Sequence, residues 1–265
     1  MTAGFDGVIF DVDGVLVDSP HERAWREALQ ELMEGDWRDI RDETTWSPER
    51  FTHEVYERSM SGKPRMSGAR AALEHFGVPD VDVRVDAYAK RKQSILIALI
   101  EAGKFEAYPD ALRFVLAIRA LGIRTAAASS SKNAGRFLRR IRLDTFAEEQ
   151  GLDYDFVTPG LGLLEFFDVD VSGRDFARGK PDPEIFLTAA SELGSPPQRC
   201  CVVEDAASGI QAAKAGTMAA LGVARADDEQ LLAGAGADLV VTSLDDVDVA
   251  SLTDGRLAPH DREGG

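Results

Sequence analysis

Asp11 and Asp13 are the first residues in this chain whose types and spacing can do chemistry. They follow the apolar run Val8-Ile9-Phe10, which reads as a short buried strand. At this spacing both carboxylates lie on one face of an extended chain. Gly14 permits a turn that draws them around one point. Carboxylates gathered at the carboxyl end of a strand suit a hard cation such as Mg²⁺. One of them can also attack phosphorus and form an aspartyl-phosphate. An isolated Asp-x-Asp is equally compatible with a polar turn, so the rest of the chain must decide.

Further groups recur downstream in a consistent setting. The small-residue strand Thr125-Ala126-Ala127-Ala128 runs into Ser129-Ser130-Ser131-Lys132-Asn133. Lys180-Pro181-Asp182-Pro183 opens a helical stretch, and the apolar strand Cys200-Cys201-Val202-Val203 ends in Glu204-Asp205. All but the lysine group follow a strand directly, which in an open parallel sheet is the edge where ligands bind. With these residues in this order, the chain resembles the haloacid-dehalogenase-like phosphotransferase superfamily. Within it, the chain is similar to the β-phosphoglucomutase and sugar-phosphate phosphatase branch. The resemblance runs to about Val249 and rests on the joint order of the motifs, since each alone is weak.

The resemblance implies a role for each group. Asp11 is the nucleophile, and Asp13 the general acid and base. An aspartate at Asp13 also separates this branch from the haloacid dehalogenases and phosphonate hydrolases, whose leaving groups need no proton donor there. Ser129 and the amides after it hold phosphate oxygens, with Ser130, Ser131 and Asn133 in the same turn and Lys132 at a helix start, where anions are favoured. Lys180 neutralises charge on the nucleophile and the transferring phosphoryl group. Asp11, the Asp13 carbonyl, Asp205 and substrate oxygen surround Mg²⁺, with Glu204 in the same ligand group, if need be through water.

Strands are expected at Gly7–Phe10, Arg124–Ala128, Phe167–Val171, Cys200–Val203, Met218–Leu221 and Leu239–Val241. Helices are expected at Asp110–Leu121, Lys132–Ile141, Pro183–Leu193 and Ser208–Ala215. Their alternation implies an α/β fold with a doubly wound parallel sheet. From Pro20 to about Ala102 the pattern changes: Ala24, Trp25, Ala28, Leu29 and Leu32 recur at helical spacing and no strand stands out. This reads as an inserted all-helical domain, which the resemblance identifies as a cap closing over the active site. The expected division is a core of 1–19 and 103–252, a cap of 20–102 and a loose tail of 253–265, with hinges near Ser19 and Lys104–Pro109. The segment 148–166, rich in Gly and aromatics, reads as a packed surface loop.

Cap residues carry specificity in this branch. Ser61-Gly62-Lys63-Pro64-Arg65 resembles the mutase specificity loop, and Gly62 belongs to it. Arg65 matches the arginine that grips a second phosphate, a role suited to a planar fork. Lys92 matches another substrate-facing position, against the plain reading of a solvated helix face. His21 matches a mutase histidine but stands two residues nearer the acid/base aspartate, and Ser61 stands where those mutases carry lysine. Both departures favour a phosphatase.

Composition narrows the partners. The formal net charge of −16 argues against a nucleic-acid partner, whose phosphates need a basic footprint. An anionic substrate therefore needs a local positive pocket, for which Lys132, Lys180, Arg65 and Lys92 are candidates, with a bound metal. No apolar run approaches the roughly 18–20 residues of a membrane span, and no signal peptide is apparent. Cys200 and Cys201 read as buried small hydrophobes rather than a disulfide or zinc site. The expectation is a cytoplasmic, Mg²⁺-dependent phosphatase acting on a small sugar phosphate, a monomer or weak dimer without nucleic-acid or membrane partners. The alternatives are a β-phosphoglucomutase and, more remotely, a noncatalytic sugar-phosphate sensor.

Overall fold

The continuous apolar run after Asp6 forms β1 (Gly7–Phe10), buried along its whole length as a strand covered on both faces requires. The computed structural model describes residues 4–61 and 63–260. After β1 the chain turns through Gly14, whose φ of 79° suits a residue without Cβ. It enters β2 (Val17–Asp18) and then α1 (His21–Glu34), α2 (His53–Ser59), α3 (Arg65–His75) and α4 (Val81–Glu101). β3 (Glu106–Ala107) pairs antiparallel with β2, Val17 opposite Ala107. Helices and strands then alternate: α5 (Pro109–Ala120), β4 (Arg124–Ala127), α6 (Ala134–Leu138), α7 (Leu143–Gln150), α8 (Leu163–Phe166) and β5 (Val169–Asp170). The last elements are α9 (Glu184–Leu193), β6 (Cys200–Glu204), α10 (Ala207–Ala215), β7 (Ala219–Val223), α11 (Glu229–Gly234) and β8 (Leu239–Val241).

The chain divides into two compact units, one from the chain up to Ser19 and from Glu106 onward, the other Pro20–Phe105. The first holds a six-stranded sheet in the order β5-β4-β1-β6-β7-β8, parallel throughout. After β5 the chain crosses to the other side of β1, so the strand order reverses at β1. Ligands of such sheets sit outside the carboxyl ends of the strands at that reversal. On one face Ile9, Val202 and Ala220 pack under Phe186, Leu193 and Ile210 of α9 and α10. The Phe10 ring lies 6.2 Å from Phe114 and 5.9 Å from Phe167. Cys200 and Cys201 are buried free thiols in this core, and burial pushes Cys200 up to about 11 and Cys201 higher still.

The second unit is helical. Trp25, Ala28, Leu29 and Leu32 of α1 bury the stripe that their spacing defines. Trp25 lies 5.1 Å from the Tyr88 ring, whose hydroxyl donates to the Trp25 carbonyl at 3.0 Å. Phe51 and Phe76 stack at 5.7 Å. No described helix is long and apolar enough to cross a membrane.

Several boundaries depart from the sequence reading. α6 starts at Ala134 rather than Lys132 and spans five residues, because the Ser131 hydroxyl accepts from the Asn133 amide and holds a turn instead. β5 is two residues long, since Asp168 turns its carboxylate to the Thr125 amide and to Arg119. The segment 148–166 is not a bare loop: α7 ends within it and α8 closes it, with Tyr154 and Phe156 stacked at 5.0 Å. The second boundary between the units falls after Phe105, because Glu106 pairs back to Asp18. The stretch 253–260 is not loose: the Asp248 amide donates to Ala258 and the Arg256 amide to Ser251.

Asp110 fastens the start of α5 to two distant loops. Its carboxylate accepts from Arg225 Nη1 at 2.9 Å and Nη2 at 3.2 Å, from the Ser243 hydroxyl at 3.2 Å and from the Leu244 amide at 2.8 Å. Burial works against the charge, but Arg225 and the Leu244 amide outweigh it and lower the Asp110 pKa. Asp110→Asn leaves Arg225 largely buried without its counter-charge, at a cost of about 3 kcal/mol at neutral pH. Because the folded-state pKa is depressed, this contribution is present above the ordinary aspartate range and lost as pH falls through the native value. Urea midpoints of wild type and Asp110→Asn should therefore differ at pH 7 and converge below about pH 4. A gap that stays constant on acidification would refute this assignment.

Candidate active site

The register of the sheet brings the chemical groups to one edge. Phe10 pairs with Ala127 on one side and Val203 on the other, so Asp11, Ala128 and Glu204 stand level at the carboxyl edge, with Ser129 one residue further on. Asp11 is anchored by its amide, which donates to the Val203 carbonyl at 3.0 Å. At the centre lies Lys180, whose ammonium donates to Asp11 Oδ1 at 2.5 Å and to Glu204 Oε1 at 2.5 Å. Its side chain is 11% exposed and lies 4.9 Å over the Phe186 ring. Both oxygens of Glu204 are engaged, since Oε2 accepts from the Asp205 and Ala206 amides at 3.0 Å each. Glu204 therefore anchors Lys180 and the turn into α10.

Two glycines make room for the acids. A Cβ on Gly14 would stand 1.8 Å from Asp205 Oδ2, and one on Gly209 would stand 1.9 Å from Glu204 Cδ. Gly14 thus serves close approach as well as the turn. Asp13 meets Ser129, whose hydroxyl donates to Asp13 Oδ2 at 3.3 Å and accepts from the Ser131 amide at 3.1 Å. The Ser129 amide in turn donates to the Ser172 hydroxyl at 3.2 Å, a contact no motif announced. Ser129 and Asn133 are buried, whereas Ser130 is exposed. Lys132 points its ammonium to the Gly173 carbonyl at 2.8 Å and to Asp175 at 2.5 Å. The structure therefore ties Lys132 to the loop after β5, ahead of α6 rather than at its start.

The electrostatics are those of crowded carboxylates. Burial raises Asp11 to about 7, with Glu204 and Asp13 adding to the rise and Lys180 opposing it. Burial likewise raises Asp205 well above its ordinary value, helped by Glu204, Asp11 and Asp13. For Lys180 burial works against the charge, yet Asp11 and Glu204 overcome it and its pKa is raised. One unit of positive charge thus faces several carboxylates. No three of the described His, Cys, Asp and Glu side chains converge into a closed metal cage. An open set of Asp11, Asp13 and Asp205 fits Mg²⁺, which keeps waters and shares substrate oxygens rather than requiring an all-protein cage.

The remaining candidates lie in the helical unit. Lys92 is 3% exposed; its ammonium donates to Nδ1 of His21 at 2.7 Å and sits 4.8 Å over the Trp25 ring. Lys92 is therefore no solvated helix face. Arg65 is exposed at the first position of α3, and Gly62 lies outside the described residues.

Comparison with known proteins agrees with this arrangement. A family model described as haloacid dehalogenase-like hydrolase matches residues 5–217. A β-phosphoglucomutase of Mycobacterium bovis is 30% identical, with 89% of this chain and 88% of that protein covered. A phosphorylated carbohydrates phosphatase of Thermotoga maritima is also 30% identical, covering 89% of this chain and 94% of its own length. Among solved structures, an archaeal β-phosphoglucomutase from Pyrococcus superimposes with a TM-score of 0.67 at 31% identity, covering 94% of this chain and 99% of its own. These matches show that the chain belongs to the haloacid dehalogenase-like hydrolase family and is an enzyme of its phosphatase or phosphomutase type.

Proposed function

We propose that this enzyme transfers the phosphoryl group of a small sugar phosphate to Asp11 and then to water, with Mg²⁺ as cofactor. The observation that carries the reading is the Asp11 carboxylate, buried at the end of the central strand and held by Lys180 at 2.5 Å. That contact fixes one Asp11 oxygen and leaves the carboxylate's other oxygen for attack on phosphorus. Asp13, oriented by the Ser129 hydroxyl, gives its proton to the departing ester oxygen and later takes one from the attacking water. Amides following Ser129 offer donors to the phosphoryl oxygens, as a turn of successive N–H groups does for anions. Lys180 balances the charge that develops on those oxygens. Hydrolases of this family generally use Mg²⁺, which when bound neutralises carboxylate and phosphate charge together. Asp11, the Asp13 carbonyl and Asp205 are the groups to hold it, with Glu204 in the same set, if need be through water.

A second reading is favoured by the match to β-phosphoglucomutases: the acceptor is a sugar hydroxyl and the phosphate moves within one hexose. Both readings share every step up to the aspartyl-phosphate. The phosphatase is preferred because Ser61 and the position of His21 depart from the mutase pattern. A screen of phosphorylated metabolites separates the two. It should include β-glucose 1-phosphate with a glucose 1,6-bisphosphate primer, and read both inorganic phosphate and glucose 6-phosphate.

Asp11→Asn should abolish turnover and phosphoenzyme formation while leaving the thermal midpoint near that of wild type, since an amide is no nucleophile here. Near-native activity in the folded variant would remove Asp11 from the mechanism. EDTA should stop turnover and Mg²⁺ restore it; full activity in exhaustively stripped protein would exclude the metal. If the enzyme is a mutase, Arg65→Ala should lower mutase activity much more than hydrolysis of acetyl phosphate. Loss of a charge-assisted bidentate contact costs about 1.5–3 kcal/mol, or roughly ten- to a hundredfold in kcat/KM. Equal losses in the two reactions would show that Arg65 does not grip a second phosphate.

A further inference from the structure

Arg225 belongs to no motif, yet its guanidinium reaches the turn that carries Asp13. It stands just beyond β7, and its side chain is 16% exposed. Nε donates to the Gly14 carbonyl at 3.3 Å and Nη2 to the Val15 carbonyl at 3.3 Å. The same fork is held by Asp110 at 2.9 and 3.2 Å and stacks 3.9 Å over the Tyr108 ring. The Tyr108 amide donates to the Leu16 carbonyl at 3.0 Å. Three consecutive carbonyls, those of Gly14, Val15 and Leu16, are thus fixed from outside the turn by Arg225 and the residue it stacks on. Within the turn the Gly14 amide donates to Val17 at 2.8 Å, and the Leu16 and Val17 amides donate to Val12 at 2.9 and 3.0 Å. Asp13 is part of this closed frame.

Asp11 has a different support. Its amide is in the sheet, paired with Val203, and its carboxylate is on Lys180. The two catalytic carboxylates therefore have separate anchors: β1 and Lys180 for one, the Arg225-clamped turn for the other. Proton transfer requires the donor within hydrogen-bond reach of the departing oxygen, and a misplacement of about 1 Å costs on the order of a hundredfold.

We propose that Arg225 is a positioning residue for Asp13: its grip on the Gly14 and Val15 carbonyls places the proton donor against the leaving oxygen without setting the line of attack of Asp11. The inference rests on the phosphoryl-transfer reading above. In that step an Asp11 oxygen bonds to phosphorus. The bond from phosphorus to the ester oxygen breaks with its electron pair on that oxygen, and the Asp13 proton moves to it. Acetyl phosphate releases acetate, a stable anion that needs no proton. Glucose 6-phosphate releases an alkoxide-like oxygen that does.

In a two-step reaction kcat/KM for each donor reports the first half-reaction alone, so the ratio between the two donors isolates proton delivery. The experiment measures kcat/KM with acetyl phosphate and with glucose 6-phosphate in wild type, Arg225→Lys, Arg225→Met and the double variant Asp110→Asn/Arg225→Met. The double variant removes the carboxylate that Arg225→Met leaves buried and unpaired, so the fold is kept while the clamp is lost. Asp13→Asn provides the ratio expected when the proton donor is gone. The glucose 6-phosphate rate should fall at least tenfold more than the acetyl phosphate rate in both Met-containing variants, with part of the ratio recovered in Arg225→Lys, on the scale set by positioning losses of roughly a hundredfold. Equal losses with both donors, or none with either, would overturn the positioning role. Full turnover of both donors by Asp11→Asn would overturn the phosphoryl-transfer reading itself, so the two failures are told apart.

Discussion

The contact of Lys180 with Asp11 and Glu204 is the constraint around which the core unit is arranged. An ammonium between two buried carboxylates is not a cheap source of stability, because desolvation of the ions opposes their attraction. Its value is placement. Under the proposed phosphoryl transfer, a charge fixed at 2.5 Å from the Asp11 carboxylate need not reorganise when phosphoryl charge develops. For Lys180 to sit there, β1 and β6 must be in register at their carboxyl ends. The pairing of Phe10 with Val203 imposes that, and a slip of one residue would turn Asp11 to the other face of the sheet.

Crowding of acids follows from the same arrangement, and the fold absorbs it by removing side chains rather than adding charges. Gly14 lets Asp205 approach the turn after β1, and Gly209 lets Glu204 tuck against the first turn of α10. Glu204 spends one oxygen on Lys180 and the other on two backbone amides. Under the proposed mechanism, in a chain of net charge −16, a divalent cation among these acids and Lys180 together turn a repulsive edge into one that can accept a phosphate dianion.

The parts legible in the sequence are those where residue type and local context coincide. Asp11, Asp13, Ser129, Lys180 and Glu204-Asp205 could be read because each stands where a strand or helix pattern breaks, and the α/β alternation orders them. The parts that escaped depend on contacts between distant segments. Arg225 meets Gly14 across 211 residues and Asp110 across 115, and no local pattern marks either contact. For Lys92 the sequence leaves a substrate-facing position and a solvated helix face both open, because a lysine within Lys90-Arg91-Lys92 has charged neighbours; only its packing on Trp25 and His21 shows it buried. Lys132 reads as a helix start because the turn chemistry of Ser131, which delays α6, competes with helix propensity at that point.

The relatives make one further point about what similarity can decide. A β-phosphoglucomutase and a phosphorylated carbohydrates phosphatase match this chain at the same 30% identity over nearly the same share of it. Overall identity of that kind weighs every aligned position alike and does not single out the few that choose the acceptor. In the proposed mechanism the two reactions diverge only after the aspartyl-phosphate forms, when either water or a sugar hydroxyl takes the phosphoryl group. That choice is a difference in the transition-state access of two acceptors, and a few kcal/mol is enough to reverse it. A handful of side chains controls such a difference, too few to move overall identity. What separates phosphatase from mutase in the proposed reading is therefore local, in departures such as Ser61 and the shortened link before His21, while global likeness establishes the family.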